Sequence, residues 1–262
     1  MGSQAATASQ PVQVTGAAAG TQAPVAVQPV AVQDLTPAND RYQAYAAAQL
    51  ADLAAQVATI QSDLRRDDIA KAKQDWLAAQ LDWERVGVSH DSFGDLGLAV
   101  DGEQVTAALA KNVAAVRKNL TTDDLAGDPA NLPIRAHEIL EDALRDHLSG
   151  IDDQGSGAAF AQTYADVQVT RAILGYLAPL IDARQPGLVG TLTAELDTLD
   201  QALLATRAPR APRAPRAPQA NGAWTSLGAA SPSAREHVDA ATGAELESAA
   251  SVPDLLEVPP TH

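Results

Sequence analysis

Glu84 is an acidic side chain at a position where an apolar residue is expected. It repeats at helical spacing with Leu77, Leu81 and Val88, so these side chains share one face of a helix. A carboxylate on a buried face must be paired, protonated or bound to a cation. Two interpretations stay open for Glu84: an ion pair with Arg85 or a backbone cap, or a carboxylate ligand of a metal site.

His137 and Glu141 form a second set of residues with metal-binding chemistry. They lie four residues apart in the segment 132–150, which reads LPIRAHEILEDALRDHLSG and is predicted to be helical. An imidazole and a carboxylate on one helix face suit iron or zinc. The alternative is an ordinary contact between positions i and i+4, which stabilises a helix without any ligand.

The composition of the chain favours helices as the elements that position these residues. Alanine dominates an apolar fraction of 46%, whereas aromatic residues make up only 3%, and such segments form helix more readily than sheet. Apolar stripes at helical spacing predict five or six helices between residues 36 and 207. The first helix is expected to begin at Thr36-Pro37, with the threonine as its cap. The predicted fold is an all-α, up-and-down helical bundle.

The segment 68–97 is expected to contain the central helix of this bundle. Ile69, Trp76 and Trp83 recur at helical spacing on an apolar face beside the one that carries Glu84. Two of the chain's three tryptophans lie here, and each is able to bury a large apolar surface. The charged turn just before the segment predicts antiparallel packing on the preceding helix.

Two disordered tails are predicted around a helical domain at residues 36–207. The leader at 1–35 has one acidic residue, no basic residue and few large apolar side chains to bury. It also lacks the basic start and the leucine-rich core of a signal peptide. The tail at 208–262 is rich in proline, serine, alanine and glycine.

The composition of the chain changes at Arg207, where the tripeptide Arg-Ala-Pro begins to repeat and occurs four times. A proline at every third position is typical of extended, polyproline-like chain. Beyond the repeat, we expect only short helical turns near 234–241 and 244–251, with Trp224 and His237 unstructured.

Charge and composition exclude several classes of function. The net charge of −15 argues against nucleic-acid binding, which requires a basic surface, and suits cations or basic partners. The chain has no cysteine, so disulfides, thiolate catalysis and cysteine-ligated zinc are excluded. No run of about 18 apolar residues is present, so no segment is expected to span a membrane.

WER at 83–85 and FGDL at 93–96 together form an aromatic-Glu-Arg helix followed by an F-x-D-L turn. In this they resemble the imelysin-like domain of EfeO-type iron-uptake proteins, a family that is filed among the peptidases. PANDRY at 37–42 is similar to the start of that family's first helix, and the segment 132–150 is similar to a later helix. The Gly- and Asp-rich loop at 149–157 is similar to the family's loop after that helix.

The resemblance implies a metal site made of carboxylates and histidine inside a helical bundle. The candidate metal ligands are Glu84, Asp95, His137, Glu141 and Asp153, because each lies on or beside a segment that matches the family. The implied cation is iron, as Fe2+ or Fe3+, or another divalent cation. The implied role is a non-enzymatic component of an iron-uptake system in the cell envelope, periplasmic or extracellular. The implied partners are an iron permease and a haem peroxidase-like protein.

One motif of the family is missing, and its absence keeps other functions open. The family carries His-x-x-Glu on one helix face, whereas no histidine of this chain is followed by glutamate three residues later. A degenerate relative that acts as an interaction or scaffold protein without a metal is therefore one alternative. A metallopeptidase is a weaker one, because His137-Glu138 begins an H-E-x-x-H pattern but Glu141 stands in place of the second histidine.

Overall fold

The structure, a computed structural model, describes residues 29–89, 92–102, 107–153, 155–207 and 224–259. Within these residues the protein is an all-α helical bundle without a β-strand, as the sequence predicts. In chain order the helices are α1 (Val32–Arg65), α2 (Ile69–Glu84), α3 (Gly94–Gly102), α4 (Ala107–Asn119), α5 (Leu132–Asp142), α6 (Ala159–Asp182), α7 (Leu188–Ala205), α8 (Pro232–Ala249) and α9 (Ser251–Leu255).

The first two helices form an antiparallel pair. Near the start of α1, the Tyr42 hydroxyl donates a 2.9 Å hydrogen bond to the carbonyl of Val86, just beyond the end of α2. At the other end of the pair, Asp63 lies 3.7 Å from the ammonium group of Lys71. Contacts at both ends confirm the antiparallel packing that the charged turn predicts. They also fix where α2 ends, and Glu84 is its last residue.

The central helix is α6 and not α2. It contacts α1, α2, α5 and α7, and Phe160, Val167 and Leu177 are at most 1% exposed along its length. By contrast Ile69, which the sequence places on the buried face of α2, is 48% exposed. The expectation of a central α2 is wrong, because α2 is exposed at its first residue and packs mainly on α1 and α6.

The bundle begins earlier than the sequence indicates. Ala31 precedes the first turn of α1, where its amide donates a 2.9 Å hydrogen bond to the Asp34 carboxylate, so the predicted start at Thr36-Pro37 is wrong. Val30 and Leu35 are buried and belong to the core. The predicted leader therefore contributes its last residues to the fold, and the prediction for residues 1–28 lies outside the described residues.

The prediction of an unfolded tail after residue 207 is wrong for residues 224–259. The helix α8 packs on α7 and α5, and α9 packs on α5. Val238, Val252 and Leu256 are at most 1% exposed. The face that α8 buries carries small and polar residues such as Thr242, so its helical spacing lacks the large apolar side chains of the other stripes. Most of the Arg-Ala-Pro repeat, at 208–218, lies outside the described residues.

Trp224 is ordered at the point where the described chain resumes. It forms an isolated antiparallel bridge with Arg207, and the amide of Thr225 donates a 3.2 Å hydrogen bond to the carbonyl of Thr206. The Arg207 guanidinium lies 4.5 Å above the Trp224 ring and 5.6 Å from the ring of Tyr164. These cation–π contacts attach the start of the C-terminal segment to α6.

No helix within the described ranges is both long enough and apolar enough to cross a membrane.

A buried acid lies at the interface of α7 and α8. Glu245 has no exposed surface, and neither of its carboxylate oxygens has a hydrogen-bond partner among the described residues. Burial, and then the charge of Glu195 on α7, raise the pKa of Glu245 to about 8. Ser248 on α8 donates a 2.9 Å hydrogen bond to Glu195. The packing of α8 therefore depends on the proton that Glu245 retains.

We expect the docking of α8 to weaken as the pH rises from the ordinary pKa of Glu245, 4.5, to its folded value of about 8, and then to level off. The folded segment holds the proton more tightly than an unfolded one, so each rise in pH within this window favours the undocked state. Hydrogen-exchange protection of α8 amides, corrected for intrinsic rates, measures this. The Glu245→Gln variant is the control, and equal pH dependence in the variant would show that Glu245 is not the cause.

Candidate metal centre

The carboxylate of Glu84 lies at the end of α2 and is held from two helices. It is 6% exposed. One turn earlier, Gln80 donates a 2.7 Å hydrogen bond to Oε1, and Gln162 of α6 donates another of 2.9 Å to the same oxygen. The other oxygen, Oε2, lies 3.8 Å from Nε2 of His147. The two amides thus orient the carboxylate and leave Oε2 directed at the imidazole.

Arg85 does not supply the ion pair that one sequence interpretation proposes for Glu84. Its guanidinium pairs with Asp82 at 3.0 Å and donates a 2.7 Å hydrogen bond to the side-chain oxygen of Gln168. That interpretation is wrong, because the side chain of Arg85 extends along a different side of α2. The partners of Glu84 are the two glutamine amides and His147.

His147 ends a π-helical turn, Ala143–His147, that continues α5. In this turn the amide of Leu148 donates a 2.9 Å hydrogen bond to the carbonyl of Ala143, five residues earlier. Such wide turns occur frequently at functional sites. The imidazole is 12% exposed, with Nε2 toward Glu84 and Nδ1 hydrogen-bonded to the carboxylate of Asp152. Both ring nitrogens are therefore committed to carboxylates.

Asp166 brings a second carboxylate to the same imidazole nitrogen. It lies in the first half of α6 and is 2% exposed. Its Oδ2 is 3.3 Å from Nε2 of His147 and has no hydrogen-bond partner of normal geometry among the described residues. A buried carboxylate oxygen without such a partner is unfavourable unless a proton or a cation satisfies it.

Glu84, His147 and Asp166 each direct one ligand atom into a common point. These three atoms lie within 4.8 Å of one another, and no other three His, Asp or Glu side chains of the described ranges do so. They line a cavity of about 310 Å³ together with Asp152 and Arg145, among other residues. Three separate parts of the chain therefore supply the group: the end of α2, the π-helical turn after α5, and α6.

The three groups shift one another's pKa in different directions. Burial would raise the pKa of Glu84, but the charge of His147 and the hydrogen bonds to the carboxylate outweigh it and lower that pKa. Burial would lower the pKa of His147, but Glu84 and the hydrogen bond to Asp152 hold it well above its usual range. Burial raises the pKa of Asp166 to about 7 in spite of His147. Near neutral pH, the metal-free site therefore contains ionised Glu84, imidazolium and a partly protonated Asp166.

The residues present fit a divalent metal ion. Ligand atoms about 2.1 Å from an ion, at tetrahedral or octahedral angles, are about 3.0–3.4 Å apart. The distances from Nε2 to Asp166 and Glu84, 3.3 and 3.8 Å, need only small adjustment to match. Asp152 accepts the Nδ1 proton, an arrangement that leaves Nε2 as the ligand atom of a neutral imidazole. Three protein ligands would leave coordination positions open to other groups, and all three line the cavity.

Of the five ligands predicted from sequence, only Glu84 belongs to this group. Asp95 is exposed in the first turn of α3. His137 and Glu141 approach each other to 3.6 Å on α5, with Glu141 exposed, which agrees with an ordinary helix contact. Asp153 accepts hydrogen bonds from the side chain of Ser156 and from two backbone amides, so it shapes its loop. The structure does not bring these four residues to the buried site.

His147 and Asp166 are the members of the buried group that sequence reasoning missed. The rule that selected Glu84 also applies to both of them. His147 continues the helical spacing of the buried residues Leu140 and Ala143, and Asp166 lies at helical spacing from Thr163 and Thr170, which are also buried. A polar residue within a buried stripe is therefore the signal that identifies both, although neither belongs to a His-x-x-Glu motif.

Comparison with known proteins adds no identification: no family model matches the chain, and no curated protein matches its sequence. The resemblance to the imelysin-like domain stays a prediction that rests on the short motifs alone.

We expect metal binding to release between one and two protons per ion at about pH 7. His147 must lose the proton on Nε2 before it can act as a ligand, and Asp166 must lose the proton that it partly retains at its pKa of about 7. Calorimetry in buffers with different ionisation enthalpies measures the number released. His237→Gln, at an exposed position on α8, is the matched histidine control and should leave the number unchanged. Binding without proton release would place the metal elsewhere.

Proposed function

We propose that Glu84, His147 and Asp166 bind a divalent transition-metal ion inside the helical bundle. The observation that carries this proposal is the convergence of three buried ligand atoms from separate elements, within 4.8 Å of one another. The buried Oδ2 of Asp166 adds to it, because its 3.3 Å contact with Nε2 of His147 lacks normal hydrogen-bond geometry. A metal ion would satisfy all three side chains at one position, which no single hydrogen bond can do.

The chemistry of the ligands favours iron, manganese or zinc. Two carboxylates and one imidazole, with no sulfur ligand, suit hard and borderline divalent ions and disfavour soft ones such as Cu(I). Carboxylates and histidine on facing helices also hold iron in other helical bundles. Asp142, Asp146 and Asp152 line the same cavity, against one arginine, Arg145, so its walls favour a cation. Iron is the choice that agrees with the resemblance found in the sequence.

The role that we infer for the protein is binding and not catalysis. A metallopeptidase requires a carboxylate beside the metal that is available as a general base. Around the cavity, Asp152 is bonded to His147, while Asp142 and Asp146 pair with Arg145 at 2.8 and 2.6 Å. These pairings restrain the nearby acids. A casein-type cleavage assay on the metal-loaded protein tests this point, and cleavage that a chelator abolishes would contradict it.

The cellular role follows from the resemblance alone. We propose a non-enzymatic component of an iron-uptake system in the cell envelope, with an iron permease and a haem peroxidase-like protein as partners. In that role the ion is cargo and must leave the site again. The proposed ligands come from three separate elements, and only one of them is a histidine. Because the His-x-x-Glu motif is missing, no single helix holds two ligands in fixed geometry. We therefore expect weaker metal binding than in proteins that have the motif.

A second candidate function is a scaffold that holds no metal. One observation favours it: the imidazolium of His147 lies between Glu84 and Asp166 and already balances part of their charge. The site then serves as a polar connection between helices. Metal titration separates the two functions, because a scaffold gives no stoichiometric heat and no metal-dependent rise in melting temperature.

We expect Glu84→Gln to weaken binding of Fe2+ or Zn2+ by more than about 100-fold. Changes in the residues that orient metal ligands typically lower affinity 10- to 100-fold, and loss of a ligand itself should exceed that. Glutamine preserves the size of the side chain. Isothermal titration calorimetry, anaerobic for Fe2+, measures the affinity.

The control for this experiment is Asp197→Asn, since Asp197 is an exposed acid on α7 whose partner is Arg171. Asp95→Asn and His137→Gln test the candidates that the structure places outside the group, and both should behave like Asp197→Asn. Similar losses in Glu84→Gln and Asp197→Asn would remove Glu84 from the metal site.

A further inference from the structure

Asp152 determines how His147 is oriented, and it lies in the loop between the π-helical turn and α6. Its carboxylate is bonded to Nδ1 of His147. This bond fixes the imidazole ring and keeps the proton on Nδ1, so that Nε2 points to Glu84 and Asp166. Internal hydrogen bonds shape the loop around Asp153, but the neighbouring Ile151 is 74% exposed and provides no apolar packing on its side of Asp152. Packing from outside the loop can therefore contribute to the position of Asp152.

The C-terminal segment lies against both ends of this loop. A Cβ atom placed on Gly150 would be 3.3 Å from Cδ1 of Leu227, and one placed on Gly157 would be 3.2 Å from Cβ of Ser226. Both glycines have positive φ angles, +79° and +67°. The loop is thus held against the C-terminal segment at two points that flank Asp152, with close contact where only glycine fits.

The same segment is anchored to α6 close to the metal site. The ring of Trp224 lies 5.4 Å from the ring of Tyr164, two residues before Asp166 in α6. The guanidinium of Arg207 stacks on the Trp224 ring at 4.5 Å. The segment is therefore fixed to the helix that supplies Asp166 and pressed on the loop that supplies Asp152.

We propose that residues 224–227 form a C-terminal strap that holds Asp152 against His147, with Leu227 as the positioning residue. This inference rests on the proposed metal site. In it, the strap controls the affinity of that site for the metal ion. Leu227 lies against the loop at Gly150 and acts through it. Displacement of the strap would free Asp152, allow the imidazole to rotate and lower the affinity for the ion.

A double-mutant cycle on Zn2+ affinity tests the proposal. Leu227→Ala should weaken binding about tenfold, at the lower end of the range for residues that orient a ligand, and Asp152→Asn should weaken it by at least as much. If Leu227 acts through Asp152, the double variant should be no weaker than Asp152→Asn alone. Additive losses, or no loss in Leu227→Ala, would overturn the proposal. Leu255→Ala is the matched control, a half-buried leucine of α9 in the same C-terminal segment, and it should leave the affinity unchanged.

A second measurement needs no metal. Nitrogen-15 spectra of the histidine rings in the metal-free protein report the hydrogen bond and proton at Nδ1 of His147. Leu227→Ala should shift these signals toward those of Asp152→Asn, while Leu255→Ala leaves them in place. Unchanged His147 signals in Leu227→Ala would overturn the strap. If the wild-type protein binds no metal, but Leu227→Ala still shifts the His147 signals, the proposed function is refuted and the strap is retained.

Discussion

The contact of His147 with two buried carboxylates is the interaction on which the rest of the site depends. Glu84 and Asp166 are both at most 6% exposed, and two such acids repel each other strongly in a medium of low polarity. The imidazolium between them, or a metal ion in its place, is what makes their proximity tolerable. Removing the cation would leave buried charge uncompensated, which destabilises more than the pair contributes when complete.

The backbone that carries Glu84 is fixed by packing directly after the residue. Gly87 has a φ of +77°, and a Cβ there would be 2.9 Å from a methyl group of Val169 in α6. The guanidinium of Arg135 on α5 donates a hydrogen bond to the Gly87 carbonyl and lies 4.5 Å over the ring of Tyr42. The end of α2 is thus joined to α1, α5 and α6 within three residues of Glu84. The backbone thus holds the Glu84 carboxylate in position next to its partners.

The sequence predicts helices well where large apolar residues repeat and poorly where small ones do. Leu192, Leu196 and Leu199 give α7 an unmistakable stripe, and the helix forms as expected. The face of α8 relies on residues such as Ala241 and Ala249, which bury little area each and become a face only when α7 covers them. Tertiary contact decides the outcome for such a helix, so the sequence indicates only short helical turns where a helix of 18 residues forms.

The candidate site also has one part that the sequence predicts and another that it does not. That Glu84 belongs to it follows from one helix alone, since an acid among buried residues requires a partner. The identity of the partner depends on which faces of separate helices meet, and periodicity contains no such information. Asp152 and Asp153 show the limit most clearly, because they are neighbours of the same type. The conformation of the loop directs one at His147 and the other at its own backbone.

Charge arithmetic explains how one site can accept both protons and a metal. With the pKa of His147 well above its usual range and that of Asp166 near 7, the metal-free group can hold two protons and then has no net charge. A divalent ion with neutral imidazole and two carboxylates also has none. Replacing two protons by one divalent ion therefore leaves the buried charge unchanged, and the bundle around it need not rearrange. A trivalent ion would leave one positive charge in the same place, unless a further anion such as hydroxide entered from the cavity. A site with these charges therefore favours a divalent ion over a trivalent one.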